Sequence, residues 1–348
     1  MFSTLNLRAL IVASLATLLL FAAIIVGSRN LQNFDGALIA YLFGSVFAWF
    51  GLVYRYDVWL QRPPTRLYWR RGWQFFFSGR MFGHGLEFLK HAVTDIGAQS
   101  FIRKRGLARW SGHMLMAWGC VIAFAVTFPL TFGWIHFTLA PGGIDTYVAH
   151  GFGFALFSFP LNSCISANIF HVLNWCSLMI IVGIGLMMRR RLTDAGLIAI
   201  QTFEGDILPL LLLAAIAVTG LGLTWDYEFL QGRAHQFMAI THAIVVILFL
   251  LWMPFGKFFH IFQRPAQLGV AIYKKEGALG PQAVCPHTEQ AFATKLHVDD
   301  LKTVTRELGY DFTLSDGSSH LDLSPQGKRA ALAKAHLAAR KKSGSLFG

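Results

Sequence analysis

The stretch ILPLLLLAAIAVTGLGLT (residues 207–224) decides the fold class, because none of its 18 residues carries a charged side chain. A helix of this length rises about 27 Å at about 1.5 Å per residue, close to the roughly 30 Å hydrocarbon thickness of a bilayer. Five other stretches are comparably apolar. We therefore predict an all-α, polytopic membrane helix bundle with six transmembrane helices, at Leu10–Gly27, Ala37–Val53, Trp110–Trp134, Ile169–Met188, Ile207–Thr224 and Phe237–Phe255.

The composition of the whole chain favours the same class. Of the 348 residues, 55% are hydrophobic and 14% are charged, and the mean hydropathy is +0.50. A soluble globular protein carries roughly 25% charged residues, so a disordered chain is excluded and a soluble enzyme is disfavoured. The four cysteines have no CxxC spacing and give neither a disulfide framework nor a complete metal ribbon.

The basic residues predict the orientation of the bundle. Of the 30 Lys and Arg residues, 28 fall on one side of the predicted spans, and only Arg29 and Arg233 fall on the other. Basic loops stay in the cytoplasm, so we predict a protein of the cytoplasmic (inner) membrane with both termini cytoplasmic. The net charge of +12 then reflects topology, and we expect no nucleic-acid partner.

Two domains are predicted. Residues 1–264 form the transmembrane domain, in which the first stretch is a retained helix and residues 55–109 form a basic, aromatic cytoplasmic loop. Such a loop suggests helices at the lipid headgroups, with a docking platform for a soluble partner as the alternative. Residues 265–348 form a small, mostly helical cytoplasmic tail, with one amphipathic helix around Val298 and another starting at Pro325.

Histidine is the residue type that indicates chemistry inside the spans. The six stretches contain no Asp, Glu, Lys or Arg, but they contain His113, His171 and His242, and His260 follows the sixth. Ionisable groups inside a membrane are costly and mark functional sites. Imidazole without carboxylates points to metal or haem ligation rather than to a carboxylate proton relay.

The spacing of these histidines predicts a haem site. His242 and His260 are 18 residues apart, which is about five helical turns, so on one helix they share a face about 27 Å apart. His113 lies at a depth similar to that of His260. We predict haem b bound by His113 and His260, although a single histidine is as readily satisfied by a carbonyl or by water. The propionates would lie near basic residues at the cytoplasmic end: Arg109, Lys257 or Arg264.

Three runs of sequence carry a family resemblance. THAIVVILFLLWMPFGKFFHIFQRP (241–265) resembles the last transmembrane helix of the nitrate reductase gamma and heterodisulfide reductase membrane-cytochrome superfamily. In that superfamily two histidines 18 apart ligate two b haems, and the second follows a Pro-x-(Ser)-Lys-x-x-His pattern, in which Gly256 stands here at the Ser position. RWSGHMLMAWG (109–119) resembles the other ligand helix, and TFPLTFGW (127–134) resembles membrane regions associated with iron–sulfur oxidoreductases.

The resemblance covers roughly residues 37–265, with the first helix as an addition to a five-helix pattern. It implies an electron-transfer subunit that connects a cytoplasmic iron–sulfur or flavin oxidoreductase with membrane quinone. One ligand departs from the pattern, because Ala123 stands ten residues beyond His113, where the nitrate reductase type has the second ligand of the outer haem. A second haem at His242 would then need His171 as a substitute ligand.

Two other functions remain open from the sequence. Six spans suit a multipass transporter, although neither charged midplane residues nor a repeat are present. A membrane anchor that has lost its haem is the other alternative.

The remaining candidates are weaker. We interpret His84, His91, His150 and His235 as interfacial, and we expect His136 to lie on another face than His113. Cys285–Thr288 and Ser324–Gly327 look like two eroded metal-binding knuckles, at which we expect no metal because one cysteine remains.

Overall fold

The computed structural model describes residues 5–314 and 317–343. In this part of the chain six helices are long and apolar enough to cross a membrane, which confirms the predicted all-α, multi-pass bundle. The helices are α1 (Leu7–Gly27), α2 (Ile39–Leu60), α3 (Pro63–Phe76), α4 (Met81–His91), α5 (Ser100–Arg103), α6 (Leu107–Thr131), α7 (Cys164–Thr193), α8 (Ala195–Ile200), α9 (Leu208–Leu230), α10 (His235–Trp252), α11 (Phe259–Gln263), α12 (Gln267–Leu279), α13 (Lys295–Glu307) and α14 (Pro325–Ser343). The six candidate spans are built on α1, α2, α6, α7, α9 and α10.

The spans expose much of their apolar surface, as lipid-facing helices do. In α1, for example, Leu19 is 71% exposed and Val26 is 76% exposed. Apolar patches of this extent are rare on soluble monomers, because leaving them in water costs free energy. In a bilayer the same side chains face hydrocarbon, so the exposure fits a membrane protein.

The chain divides into two compact units. The first is Met1–Val58 with Thr94–Gln263, and the second is Trp59–Val93 with Arg264–Gly348. The sequence predicts domains 1–264 and 265–348, whereas the contacts place residues 59–93 in the same unit as the tail.

In the first unit, glycines allow α6 and α7 to pack closely. A Cβ atom at Gly183 would lie 2.7 Å from the carbonyl oxygen of Gly112, and one at Gly119 would lie 2.8 Å from a side-chain carbon of Ile180. Small residues of this kind let helix backbones approach one another inside a membrane. Helix α6, which carries His113, therefore packs closely against α7.

We expect Gly183→Val to destabilise the first unit by about 1–3 kcal/mol, because the added side chain overlaps the α6 backbone. Gly185→Val is the matched control on the same helix, since a Cβ there meets no atom within 4 Å. Thermal unfolding of the detergent-solubilised protein, followed by circular dichroism, measures both variants. Equal midpoints for the two variants would show that the close approach of α6 and α7 contributes nothing.

The last span does not continue to His260. Helix α10 ends at Trp252, residues 253–258 form turns, and the separate short helix α11 carries His260. Pro254 explains the break, because proline lacks an N–H and its ring clashes with the carbonyl four residues earlier. The predicted common face of His242 and His260 on one helix is therefore wrong, since helical periodicity does not extend through the break.

Contacts with α2 stabilise this break. The Arg55 guanidinium donates hydrogen bonds to the carbonyl oxygens of Pro254 and, at 3.3 Å, of Gly256. The Pro254 ring packs against Gly51, where an added Cβ would lie 2.8 Å from two carbon atoms of that ring. A Cβ at Gly256 would lie 2.1 Å from the Trp252 ring, so a side chain at this position would overlap that ring as it is placed here.

A three-stranded antiparallel sheet follows α6, where the sequence predicted no element. Its strands are β1 (Ile135–Leu139), β2 (Thr146–Gly151) and β3 (Phe154–Pro160), in the order β1-β2-β3. Phe152 and Gly153 both have positive φ, 51° and 79°, as a two-residue hairpin turn of the favoured hand requires. The sheet places His136 opposite His150.

The second unit packs α3 and α4 against α12, and α13 against α3. Tyr68 of α3 meets Tyr273 of α12 edge-on, with 5.0 Å between ring centres. A hairpin of β4 (Gln282–Val284) and β5 (Ala291–Thr294) precedes α13. The two tail helices predicted at Val298 and Pro325 are confirmed as α13 and α14.

Candidate functional site

His242 lies on α10 and faces α9. Its Nδ1 lies 2.9 Å from the hydroxyl oxygen of Thr219, and that hydroxyl lies 2.6 Å from the carbonyl oxygen of Ala215. The carbonyl can only accept, so the Thr219 proton is donated to it and the His242 Nδ1–H donates to Thr219. The lone pair of His242 is then on Nε2.

His113 and His260 have the same hydrogen-bonding pattern. The His113 Nδ1 lies 2.6 Å from Oε1 of Gln99, and the His260 Nδ1 lies 2.5 Å from the carbonyl oxygen of Lys257. Both oxygens are acceptors, so Nδ1 carries the proton and Nε2 the lone pair in each ring. Metal-ligating histidines almost always hold their other ring N–H in this way, which fixes tautomer and orientation.

His113 and His260 differ in burial. His113 is half-buried on the first turns of α6, whereas His260 is exposed on α11. Gln99, the partner of His113, has a left-handed backbone (φ 48°) directly before α5. In donor chemistry both imidazoles suit axial ligation of a haem iron.

His171 does not share the pattern. It is exposed on α7, and its Nδ1 lies 3.0 Å from the amide nitrogen of Asn174, which donates to it. The His171 proton is then on Nε2, the nitrogen that bears the lone pair in the other three rings. The Asn174 amide is oriented by its oxygen, which accepts a hydrogen bond of 2.9 Å from Thr224.

A cavity of about 470 Å³ lies among α2, α6, α7, α9 and α10, and His242 contributes to its lining. Ala123, ten residues beyond His113 on α6, lines the same cavity. Among the described residues that line it, His242 is the only histidine, and no lining residue is charged. The cavity therefore lacks both a second axial imidazole and a cationic partner for propionates, so its residues do not fit a second haem.

The predicted propionate partners have different surroundings. Lys257 is paired with Asp206 at 2.5 Å, and Asp206 also accepts from Arg191 at 3.2 Å. Arg109 interacts electrostatically with Arg190, and its Nε is buried without a hydrogen-bond partner among the described residues. A buried N–H without an acceptor, next to a second positive charge, is an arrangement that an anionic group would satisfy.

Arg264 belongs to the second unit. It lies in a 3-10 turn (Arg264–Ala266) and donates to the side-chain oxygen of Gln267 at 3.2 Å.

Two polar groupings in the structure were not visible as such in the sequence. His136 and His150 stack on the sheet with ring centres 4.7 Å apart, and burial, with the charges of His150 and Arg29, lowers the pKa of His136. A buried carboxylate, Asp226, lies on α9 beyond the predicted span and accepts from the backbone of Ala234. Aromatic and β-branched residues between the turn glycines Gly142 and Gly153 are the sequence signal that could have indicated the sheet.

In the second unit His84 is a buried residue and not an interfacial one. It is 2% exposed and donates to Glu276 on α12 at 2.9 Å. This hydrogen bond, reinforced by Arg80, holds the pKa of Glu276 below its ordinary value. His84 thus joins α4 to α12.

The two knuckle-like turns of the tail come together. The hydroxyl groups of Thr288 and Ser324 lie 3.3 Å apart, and a Cβ at Gly327 would lie 2.6 Å from the sulfur of Cys285. Burial acts to raise the pKa of Cys285, but hydrogen bonds from Ser324 and Thr288 outweigh it and lower that pKa to about 6. In the described part of the chain no three His, Cys, Asp or Glu side chains form a metal-binding group.

Comparison of this chain with family models, with curated proteins and with solved structures found no match.

Proposed function

We propose that this chain is a membrane electron-transfer subunit that binds haem b through His113 and His260. The observation that carries the proposal is the shared hydrogen-bonding pattern of the imidazoles, each of which donates Nδ1–H to a protein oxygen and has its lone pair on Nε2. Two such rings, on the first turns of α6 and on α11 after the last span, are ligands of the right donor type. When bound, haem supplies one-electron chemistry.

In this proposal the chain belongs to the nitrate reductase gamma and heterodisulfide reductase membrane-subunit superfamily. Support comes from the runs around His113 and His260. The superfamily resemblance implies exchange of electrons between a cytoplasmic iron–sulfur or flavin oxidoreductase and quinone in the bilayer.

In the proposed orientation the bundle spans the cytoplasmic (inner) membrane, and both termini lie in the cytoplasm. The bias of Lys and Arg to one side supports it. The same basic side offers a surface for an oxidoreductase partner, since complementary charge accelerates association.

A second candidate, a membrane anchor without haem, is favoured by one observation. His260 is exposed on a short helix. An exposed imidazole can be hydrated, so it does not need an iron atom as a partner. A reduced-minus-oxidised absorbance spectrum of the purified, detergent-solubilised protein separates the two candidates. The electron-transfer subunit gives sharp b-type bands after reduction with dithionite, whereas the anchor, purified from haem-replete cells, gives none.

Gln99 is proposed as a positioning residue for His113. We expect Gln99→Leu to weaken haem binding by about 10- to 100-fold and to change the reduction potential, because the ring loses the acceptor that fixes its tautomer. Gln99→Glu keeps an acceptor oxygen and should restore binding. Haem titration and potentiometry measure both effects. Wild-type affinity and potential in Gln99→Leu would show that the hydrogen bond does not orient a ligand.

A further inference from the structure

We propose that the cavity beside His242 binds the ring of a quinol, and that the His242 Nε2 accepts a hydrogen bond from a quinol hydroxyl group. This inference rests on the proposed function, which requires a quinone but does not locate it. The argument depends on the size, the walls and the polar groups of the cavity.

The cavity has the size and the surface of a site for a flat, lipid-soluble ring. Its volume of about 470 Å³ lies within the range of roughly 300–1,000 Å³ that is usual for small-molecule pockets. Phe124 stacks on Phe128 with 15° between the ring planes, and on Phe249 with 23°. All three line the cavity, so their nearly parallel rings offer a wall on which an aromatic ring can stack.

The polar groups of the cavity converge near Gly220. A Cβ at Gly220 would lie 3.4 Å from a ring carbon of His242 and 3.9 Å from the hydroxyl oxygen of Ser177. Asn174, one helical turn before Ser177 on α7, also lines the cavity, with its amide fixed by His171 and Thr224. A mostly apolar pocket with a few oriented polar groups selects a ligand that is apolar apart from its polar edges.

The His242 tautomer selects the reduced form of such a ligand. Because Nδ1–H is donated to Thr219, the Nε2 lone pair can accept a hydrogen bond but cannot donate one. A quinol hydroxyl group is a donor, whereas a quinone carbonyl group is only an acceptor. We therefore expect the quinol to bind more tightly than the quinone.

Binding of decylubiquinol and decylubiquinone to the purified protein in lipid nanodiscs, measured by calorimetry, tests the site. One hydrogen bond to a neutral acceptor predicts a preference for the quinol of about 3- to 10-fold in Kd. His242→Phe, which keeps a ring but removes the acceptor, should abolish the preference. Ala123→Leu, which fills part of the cavity, should raise the Kd of both ligands more than about 10-fold.

His235→Ala is the matched control, because His235 is an exposed histidine on the same helix and does not line the cavity. It should bind both ligands as the wild type does. Equal affinity for the two oxidation states, or binding that neither His242→Phe nor Ala123→Leu alters, would overturn the proposal.

Haem content measured on the same samples separates this inference from the proposed function. If the protein contains no haem and its quinol binding depends on Ala123 and His242, the cavity site is supported and the haem proposal is ruled out. If the protein contains haem and neither variant changes quinol binding, only the cavity site is ruled out.

Discussion

We expect His260→Ala and His113→Ala each to remove the b-type absorbance bands that the proposed haem gives the purified protein. Each variant deletes one of the two imidazoles that we propose as axial ligands, and both rings present an Nε2 lone pair set by a hydrogen bond at Nδ1. Loss of a partner outside the ligand set already costs about 10- to 100-fold in metal affinity, so loss of a ligand itself should cost more. Haem per protein, determined by absorbance and protein assay, should fall close to zero in both.

Two other histidines provide the controls for this result. His242→Ala should keep the haem, because its cavity contains neither a second histidine nor a charged residue among the described lining residues. His171→Ala should also keep it, since His171 is exposed and accepts at Nδ1 from Asn174. Wild-type haem content in His260→Ala would remove the proposed ligand pair, and loss of haem in His171→Ala would move the site to the other side of the bundle.

We expect Arg71→Ala to destabilise the second unit by about 3 kcal/mol, because removal of one partner leaves a buried charge uncompensated. Asp300 is 4% exposed and accepts from Arg71 at two positions, with Nη2–Oδ1 at 2.8 Å and Nε–Oδ2 at 3.2 Å. The pair joins α3 to α13. Amide exchange in α13, followed by mass spectrometry, should accelerate about 100-fold where exchange follows opening of this unit.

Arg70→Ala is the control for this variant. Arg70 precedes Arg71 on α3 and is exposed, so its loss should change stability by about 0.5 kcal/mol or less. If exchange in α13 were the same in both variants, the ion pair would contribute nothing to the unit.

The membrane spans were predictable because length and lack of charge are properties of a continuous stretch. The break after Trp252 was not foreseen, although Pro254 was visible in the sequence, because prolines are tolerated in membrane helices where neighbours satisfy the freed carbonyls. Here the break is stabilised by Arg55, which comes from a helix 199 residues earlier in the chain. The sheet was missed because its strands are short and mostly apolar, so they resemble the adjoining spans.

The candidate site was predictable in its residue types and not in its orientation. The imidazoles of His113, His242 and His260 could be chosen from the sequence, since histidine is rare in and beside apolar stretches. Their acceptors could not, because Gln99 and Thr219 come from other elements and the Lys257 acceptor is a backbone carbonyl. The cavity likewise requires five helices at once, which no single stretch of sequence shows.

The electron paramagnetic resonance spectrum of the oxidised wild-type protein tests the central claim most directly, because it reports the axial ligands of the iron. Two imidazoles from His113 and His260 predict a low-spin ferric signal from one haem per chain. A high-spin signal, or purified protein without haem iron, would contradict the proposed ligation.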